Sequence, residues 1–394
     1  MYVSSSGSLL GGAEVCLLDV ATRIRVQRWQ PLVVVPVAGE LSAALAEAGV
    51  ACEVLPLGTF RDRGEIRRAV LLVRLCTAIV AGWRLRRLIR RQKVDIVHSN
   101  TSVVIAGALG ARLAGVPHIW HVREVLDGRY WRVLRWLMVR LSVRQVCISR
   151  AVAETMSTAS VTDGVVVIPD GIDLDLFSAG YGGAGPGEQP IAAFGAGDGG
   201  GPVVAMVSRI HPSKGHELFL RAARLALDDL PGTRFLLIGG HIPAYENLYR
   251  RLLALRHQLD LDRAATFVPF VERRELARFL STLTVVVVPS TWIEPGGLVV
   301  LEGMASGTPV IATRRGGPAE AIEEGVSGFL VSHIDPAEMA ARINELLRGS
   351  GLRSRFAAAG RRRVAEAYSL DQHVERIAAL YAGVSPADRR SPIT

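Results

Sequence analysis

The chain has 394 residues, of which 49% are hydrophobic and 21% are charged. This length and composition predict two globular domains and exclude a disordered or fibrous protein. The four cysteines form no Cys-x-x-Cys pair, so neither a zinc site nor a disulfide framework is predicted. No apolar stretch is long enough to span a membrane, and the residues after Met1 do not predict a cleavable signal peptide. We therefore expect a soluble, reduced, cytoplasmic protein.

Positive charge is concentrated in the first half of the chain. The formal net charge is +9, and residues 61–150 hold nineteen basic and five acidic side chains, so the rest of the chain is mildly acidic. A basic half predicts an anionic partner, which is either nucleic acid or a lipid surface. No helix-turn-helix, zinc knuckle or aromatic-basic sheet motif accompanies the charge, so a nucleic-acid-binding protein is the weaker alternative.

Apolar runs of strand length alternate with helical patterns along the whole chain, as is typical of parallel sheets with crossover helices. In the first half the predicted strands are residues 2–4, 31–37, 50–55, 95–98, 118–121, 145–148 and 165–168. In the second half they are residues 203–207, 235–238, 266–268, 285–288, 309–311 and 328–331. The sequence therefore predicts an α/β protein with two parallel sheets.

A glycine-rich segment separates the two halves. Residues 178–202 contain ten glycines, and this composition predicts a flexible linker between domains at 1–177 and 203–367. The segment includes a Gly-x-Gly-x-x-Gly motif that begins at Gly195. The motif precedes a strand instead of following one, so it does not predict a dinucleotide site.

An Asp-x-Asp pair, which binds metal in some enzymes, occurs at Asp173 and Asp175. It follows the sequence Ile168-Pro169-Asp170-Gly171, where Asp and Gly are ordinary turn residues. We therefore predict a turn and no metal site here.

The most informative stretch joins the predicted strand at 285–288 to a helix. The loop between them holds Glu294, Gly296 and Gly297, and Glu302 lies in the helix. A strand end, a glycine loop and a helix N-terminus together favour an anion. Two carboxylates there repel phosphate but accept hydrogen bonds from hydroxyl groups, so the pattern predicts a ligand with central phosphates and a sugar at each end. A charged loop with a solvated helix face is the alternative for the two glutamates alone.

Two cations and a glycine pair lie at other predicted strand ends. Arg209 and Lys214 follow the strand at 203–207, at the carboxyl edge where open α/β sheets bind ligands. They suit the charge of a diphosphate, although taken alone they are equally compatible with an exposed surface. Gly11 and Gly12 follow the short first strand, where a missing side chain lets the backbone approach a ligand closely.

These motifs, taken in order, resemble the retaining, nucleotide-sugar-dependent glycosyltransferases of family 4. The matching segments are GGAE, VIPDGIDLDLF, VSRIHPSKGHELFLRAA, EPGGLVVLEGMASGTPVIAT, RRGGPAEAI and GVSGFLV, which span nearly the whole chain. The resemblance implies the GT-B fold, in which two Rossmann-like, doubly wound domains face a central cleft. Residues 368–394 are then expected to form a tail and a helix that crosses back to the N-terminal domain. Gly296 departs from the aromatic residue usual in the family, and the linker is longer than typical.

The resemblance implies a role for each candidate residue. Glu302 is expected to hold the ribose hydroxyls of the donor nucleotide, and Glu294 the hydroxyls of the transferred sugar. Arg209 and Lys214 are expected to grip the diphosphate. His121 matches a histidine that lines the sugar site, although a lone histidine is more often structural. The other residues expected at the donor are Gly11, Gly12, Val271, Gly296, Gly297, Leu298 and Val299.

The implied function is transfer of a sugar, with retention of configuration, from a nucleotide-diphosphate sugar to an acceptor hydroxyl. We expect it to serve the synthesis of a cell-envelope polysaccharide, a glycolipid or a related glycoconjugate. The expected catalytic residues are Arg209, Lys214, Glu294 and His121. No metal is expected, and no cofactor other than the nucleotide-sugar co-substrate. A sugar-nucleotide epimerase or a phosphorylase on the same fold is the nearest alternative.

Two arginine-rich stretches in the N-terminal half, at residues 84–91 and 130–140, predict a membrane-facing surface. On a helical wheel that continues the second stretch to residue 144, the basic half holds Arg132, Arg135, Trp136, Arg140 and Arg144. The apolar half holds Leu134, Leu137, Met138 and Leu141. An aromatic residue on a basic face suits an interfacial helix. We therefore expect reversible docking on anionic lipid at the inner face of the membrane, near a saccharide or lipid-linked acceptor; a solvated basic face over a buried apolar one is the alternative.

Overall fold

The chain folds into two units, each built around one parallel sheet. The first unit is Met1–Gly171 together with the segment that begins at Leu370, and the second is Ile172–Ser369. The computed structural model describes residues 1–9, 11–58, 68–127, 129–156, 164–178 and 201–384. The Gly-x-Gly-x-x-Gly motif and all but three residues of the predicted linker lie outside the described residues.

Parallel pairing runs through both sheets, as the alternation of strands and helices predicts. The strands of the first unit are β1 (Tyr2–Val3), β2 (Leu32–Val35), β3 (Ala51–Val54), β4 (Val97–Ser99), β5 (His118–Val122), β6 (Arg144–Cys147) and β7 (Val165–Val167). Those of the second unit are β8 (Val203–Val207), β9 (Arg234–Ile238), β10 (Ala265–Val268), β11 (Val285–Val288), β12 (Val310–Thr313) and β13 (Phe329–Val331). The spatial orders are β3-β2-β1-β4-β5-β6-β7 and β10-β9-β8-β11-β12-β13, so each sheet is doubly wound about its first strand.

Helices connect the strands. In the first unit they are α1 (Gly12–Arg23), α2 (Glu40–Glu47), α3 (Arg68–Arg91), α4 (Ile105–Ala114), α5 (Arg129–Leu141) and α6 (Arg150–Met156). In the second unit they are α7 (His216–Asp229), α8 (Glu246–Gln258), α9 (Arg273–Leu280), α10 (Leu298–Ala305), α11 (Gly317–Ala321), α12 (Pro336–Arg348) and α13 (Ser350–Ala367). The chain then returns to the first unit as α14 (Leu370–Val384). Among the described residues, no helix has both the length and the apolar character needed to cross a membrane.

The four valines of β11 show why the second sheet is buried on both faces. Side chains alternate along a strand, so Val286 and Val288 pack into one apolar cluster while Val285 and Val287 pack into another. Parallel strands covered by helices on both faces are continuous apolar runs in the sequence. The polar loops that carry the candidate residues are consequently confined to the ends of the strands.

The division between the units lies before Ile172. Ile172 and Phe177 are fully buried in a core cluster of the second unit, and the Ile172 N–H donates to the Tyr368 carbonyl at 2.8 Å. Residues 172–177, which the sequence analysis placed in the N-terminal domain, therefore belong to the second unit.

Helix α14 completes the core of the first unit. Its Ile377 and Tyr381 are buried in the same apolar cluster as Leu17 and Val20 of α1. The Tyr381 hydroxyl lies 2.5 Å from Nδ1 of His98 in β4. The core of the first unit therefore contains side chains from widely separated parts of the sequence.

Helix α5 differs from the helical-wheel prediction in two ways. Arg144 is not on the helix, because it is the first residue of β6. Arg135 is half-buried and donates to two backbone carbonyls, both at 2.8 Å, so it is not a free surface charge. Arg132, Trp136 and Arg140 are exposed, and the Arg140 guanidinium lies 5.5 Å from the centre of the Trp136 ring.

Candidate functional site

The loops at the carboxyl edge of the second sheet, together with the helix α10 that follows one of them, hold most of the predicted site residues. Lys214 follows β8 in the same loop as Arg209, Val271 follows β10, and Glu294 follows β11. Because the strands are parallel, their carboxyl ends meet at one edge, where open α/β sheets bind ligands. Residues far apart in the sequence are thus brought to the same edge.

An ion pair joins the loops after β8 and β11. Lys214 Nζ donates to Oε2 of Glu294 at 2.7 Å, and the two side chains are 27% and 15% exposed. The Ser290 hydroxyl donates to the same oxygen at 2.8 Å. Burial alone would raise the pKa of Glu294, but the charge and hydrogen bond of Lys214, helped by Ser290 and by the charge of Arg209, hold that pKa below its usual range. Glu294 is therefore an ionised carboxylate in a partly enclosed site.

A glycine allows these two loops to approach closely. Gly215 has a φ of +75°, and a Cβ there would lie 1.7 Å from the Pro289 carbonyl oxygen. In the same region the Thr291 N–H donates to the Ser213 carbonyl at 3.0 Å. Any side chain at position 215 would force the two loops apart and separate the ion pair.

The loop after β12 supports the backbone of Glu294. The Gly317 N–H donates to the Glu294 carbonyl at 2.8 Å. Gly316 has a φ of +73°, and a Cβ there would lie 2.0 Å from that same carbonyl oxygen. The Thr313 hydroxyl donates to the Ser290 carbonyl at 2.7 Å. Loops from three strands therefore position the carboxylate.

Helix α10 begins directly after this loop. Gly297 precedes the helix with a φ of +83°, and Leu298 and Val299 are its first residues. The first N–H groups of any α-helix lack intrahelical partners, and the helix dipole makes them attractive to anions. Glu302 lies further along α10 and is 7% exposed. Backbone donors thus follow Glu294 within five residues of the chain.

Arg209 and Val271 occupy neighbouring loops and differ in their surroundings. Arg209 is exposed, and its charge contributes to the lowered pKa of Glu294. Val271 is half-buried against a core cluster of the second unit, while the preceding Phe270 is 59% exposed. The Val271 side chain thus packs against the core, and a contact of this residue with the donor stays a prediction.

Three residues at this edge were not predicted. Ser290 bonds to Glu294, and Trp292, in the same loop, is 57% exposed. His216 is buried, and burial together with the charge of Lys214 lowers its pKa to about 4. A Pro-Ser pair after a strand was the only sequence signal for Ser290, and it does not tell where the hydroxyl points.

In the first unit, the glycine pair lies at the start of α1. Gly11 precedes the helix and Gly12 is its first residue. Glu14 in the first turn is buried and accepts a hydrogen bond from the Ser5 hydroxyl at 3.2 Å. The N–H of Gly12 lies in the first turn of α1, and its contact with the donor stays a prediction.

His121 lies in the interior of the first unit and is 2% exposed. Its ring stacks between those of His98 and His373, with centroid distances of 5.2 and 6.3 Å. Burial, reinforced for each ring by the charge of Arg123, lowers the pKa of all three histidines. The three rings are thus uncharged at neutral pH. This burial differs from the open position expected for a residue that lines a sugar site, and a sugar contact by His121 stays a prediction.

The Asp-x-Asp pair forms a turn. The Asp173 carboxylate accepts hydrogen bonds from the N–H groups of Asp175 and Leu176 at 3.0 and 3.4 Å. In the part of the chain that the structure describes, no group of three or more His, Cys, Asp or Glu side chains is arranged to hold a metal ion.

Known sequences match both halves of the chain. Residues 10–176 match the family described as Glycosyltransferase Family 4, and residues 191–363 match Glycosyl transferases group 1. A D-inositol 3-phosphate glycosyltransferase of Acidothermus cellulolyticus is 36% identical over 241 residues, which are 59% of this chain and 50% of that protein. One of Frankia alni is 38% identical over 204 residues, which are 50% of this chain and 47% of that protein. The chain thus spans about half the length of the curated relatives it matches.

Solved structures share the fold of nearly the whole chain. Anabaena Alr3699/HepE in complex with UDP and glucose has a TM-score of 0.80 at 23% identity, covering 97% of this chain and 100% of that one. A glycosyltransferase from Rickettsia africae has a TM-score of 0.79 at 20% identity, covering 97% of each chain. These likenesses show the GT-B fold with its two Rossmann-like domains. Because the two family matches follow one another along the chain and cover both of its halves, the chain belongs to the group 1 glycosyl transferases of family 4.

Proposed function

We propose that this chain is a retaining glycosyltransferase that moves a sugar from a nucleotide-diphosphate sugar to an acceptor hydroxyl. The observation that carries the proposal is the partly enclosed pair of Lys214 and Glu294 at the carboxyl edge of the second sheet. The pair offers a cation for a diphosphate and a carboxylate for sugar hydroxyls, and the first N–H groups of α10 follow in the same loop. Family membership supports this proposal, as do the UDP and UDP-glucose complexes of the Anabaena protein.

In this proposal, catalysis depends on charge at the diphosphate. As the bond between sugar C1 and the diphosphate oxygen breaks, Lys214 and Arg209 stabilise the negative charge that develops on the leaving group. The acceptor oxygen attacks C1 from the same face, and its proton passes to the departing phosphate oxygen. Configuration is therefore retained without an enzymic nucleophile. Because two cations already neutralise the diphosphate, we also propose that the reaction needs no metal ion.

A thermal-shift screen with nucleoside diphosphates and sugar nucleotides, run with EDTA and with Mn²⁺, identifies the donor. A donor present at 100 times its Kd stabilises the folded state by about 2.7 kcal/mol, and we expect equal thermal shifts with EDTA and with Mn²⁺.

The selected sugar nucleotide is then incubated with candidate acceptors, and we expect acceptor-dependent release of nucleoside diphosphate. A shift and turnover that require Mn²⁺ would contradict metal independence. Isomerisation of the sugar without an acceptor would identify an epimerase instead.

We further propose that the acceptor belongs to a cell-envelope polysaccharide, a glycolipid or a related glycoconjugate, reached at the inner face of the membrane. Exposed tryptophans with arginines beside them support this. On α5, Trp136 lies beside Arg140, and on α3, Trp83 is 51% exposed with Arg86 5.3 Å from its ring centre. Tryptophan and arginine side chains both combine an apolar body with a polar end, which suits the headgroup region of a bilayer.

Co-sedimentation with liposomes of rising anionic content tests the membrane proposal. Each basic residue near an anionic surface contributes about 1 kcal/mol, so the double variant Arg132→Gln/Arg140→Gln should bind roughly 30-fold more weakly at low salt. The control for total charge is the double variant Arg251→Gln/Arg355→Gln, which changes two exposed arginines of the second unit. A wild-type protein that ignores anionic liposomes at low salt would refute the membrane proposal. An equal loss in both double variants would assign the binding to net charge alone.

A further inference from the structure

Ser290 is a buried hydroxyl bonded to Glu294. It follows β11 after a single proline and is 1% exposed, and its Oγ donates to Oε2 of Glu294 at 2.8 Å. Its own backbone carbonyl accepts a hydrogen bond from the hydroxyl of the fully buried Thr313 at 2.7 Å. Ser290 is therefore fixed by β12 on one side and bonded to the site carboxylate on the other.

Both side-chain donors to Glu294 use the same carboxylate oxygen. Lys214 Nζ donates to Oε2 at 2.7 Å, as the Ser290 hydroxyl also does. Across the described ranges no hydrogen bond to Oε1 is present, so Oε1 is the oxygen available to a hydroxyl of a ligand. An ionised carboxylate has enough acceptor sites to bind further donors in this way.

A bound diphosphate changes the balance between these two donors. Phosphate oxygens are strong acceptors for a lysine ammonium, so a diphosphate competes with Oε2 of Glu294 for Lys214. As Lys214 turns toward the phosphate, Ser290 becomes the main side-chain restraint on the carboxylate. The last torsion of a glutamate is broad, and without a restraint the carboxylate would rotate freely.

We propose that Ser290 is the positioning residue of the sugar-binding carboxylate. Its hydrogen bond fixes Oε2 of Glu294 and leaves Oε1 directed at the hydroxyls of the transferred sugar while Lys214 engages the diphosphate. The inference rests on the proposed function, because it assumes that Glu294 binds the sugar. Ser290 itself is buried away from the ligand and acts only through Glu294.

The test separates recognition of the sugar from recognition of the nucleotide. Binding of UDP and of UDP-glucose is measured by calorimetry for the wild type and for Ser290→Ala. Where the thermal-shift screen favours another nucleotide, its diphosphate and its sugar nucleotide replace this pair. The control is Ser306→Ala, since Ser306 is another buried serine of the second unit and lies at the far end of α10.

We expect Ser290→Ala to weaken binding of UDP-glucose roughly 10- to 100-fold, as for the loss of one hydrogen bond to a charged group, and to leave UDP binding unchanged. The kcat/KM for transfer should fall by a similar factor, and Ser306→Ala should match the wild type in both affinities. Equal weakening of UDP binding and UDP-glucose binding would show that Ser290 has a structural role, and no weakening of either would show that its hydroxyl is dispensable. Either result would overturn the positioning role of Ser290 and leave the proposed function standing. A wild-type protein that binds no nucleotide or sugar nucleotide of the panel would overturn the proposed function as well.

Discussion

Replacing Lys214 by alanine is expected to lower kcat for sugar transfer at least about 100-fold, the scale of removing one donor that stabilises developing charge. The departing diphosphate would lose a partly buried cation. Glu294 would lose the donor 2.7 Å away that helps to keep its pKa low, so its pKa would rise. Arg209→Ala should reduce kcat by a similar factor, since Arg209 supplies the second cation of the same loop.

Lys93 provides a matched control because it is the only other lysine of the chain. It is exposed and has a φ of +51°, a conformation that asparagine adopts readily. Lys93→Asn therefore removes one positive charge with little backbone strain. Steady-state kinetics of Lys214→Ala, Arg209→Ala and Lys93→Asn distinguish the outcomes. Wild-type turnover in Lys214→Ala would contradict its role at the leaving group, and equal losses in all three would indicate a general effect of charge.

Mild acid is expected to unfold the first unit before the second. The first unit buries four histidines with lowered pKa, which are His98, His118, His121 and His373, whereas the second buries only His216 of those that the structure describes. Burial disfavours the charged ring, and it lowers the pKa of His118 to about 3. The two units should therefore respond differently as the pH falls.

The direction of this effect follows from proton binding. In the unfolded chain each histidine takes up a proton near pH 6.5, whereas the buried rings stay neutral at lower pH. The stability that the neutral rings contribute is therefore fully present above about pH 6.5. As the pH falls below that value, the free energy of unfolding decreases by up to about 1.4 kcal/mol per histidine for each pH unit. At pH 5.5 four such histidines would remove up to about 6 kcal/mol from the first unit, against a typical total stability of about 5–15 kcal/mol.

Calorimetric unfolding between about pH 7.5 and about pH 5 measures this dependence, with one transition expected for each unit. The first transition should fall more steeply with acid than the second. His118→Gln should flatten its slope, because it removes one titrating ring. Two transitions that fall in parallel, or an unchanged slope in His118→Gln, would contradict the prediction.

The strands were predictable because parallel sheets bury both faces, which makes each strand a continuous apolar run such as the four valines of β11. The end of α5 was not predictable from the sequence. The helical wheel was extended to Arg144, but the helix ends earlier and Arg144 begins β6. Periodicity shows that a helix is present, and where it stops must come from separate end signals. The division before Ile172 was missed for a similar reason, since burial of Ile172 depends on the packing of the whole second unit.

The positions of Glu294 and Lys214 could be predicted from the sequence, but the contact between their side chains could not. Glu294 and Lys214 stand at strand ends, where the α/β pattern places ligand contacts. Their 2.7 Å contact joins residues 80 positions apart, and it depends on the close approach at Gly215. A serine after a strand is an ordinary turn residue, so the bond from Ser290 could not be foreseen. The burial of His121 likewise depends on distant elements that no local pattern connects.

The return of the chain to the first unit at α14 imposes an order on folding during synthesis. Leu370, Ile377 and Tyr381 belong to the apolar cluster of the first unit, but the ribosome makes them only after all of Ile172–Ser369. At about 5–20 residues per second, the N-terminal part waits roughly 10 to 40 seconds for the helix that covers its α1. The second unit is continuous in sequence and has no such delay. The part of the nascent chain made first is therefore the one that most needs protection by a chaperone.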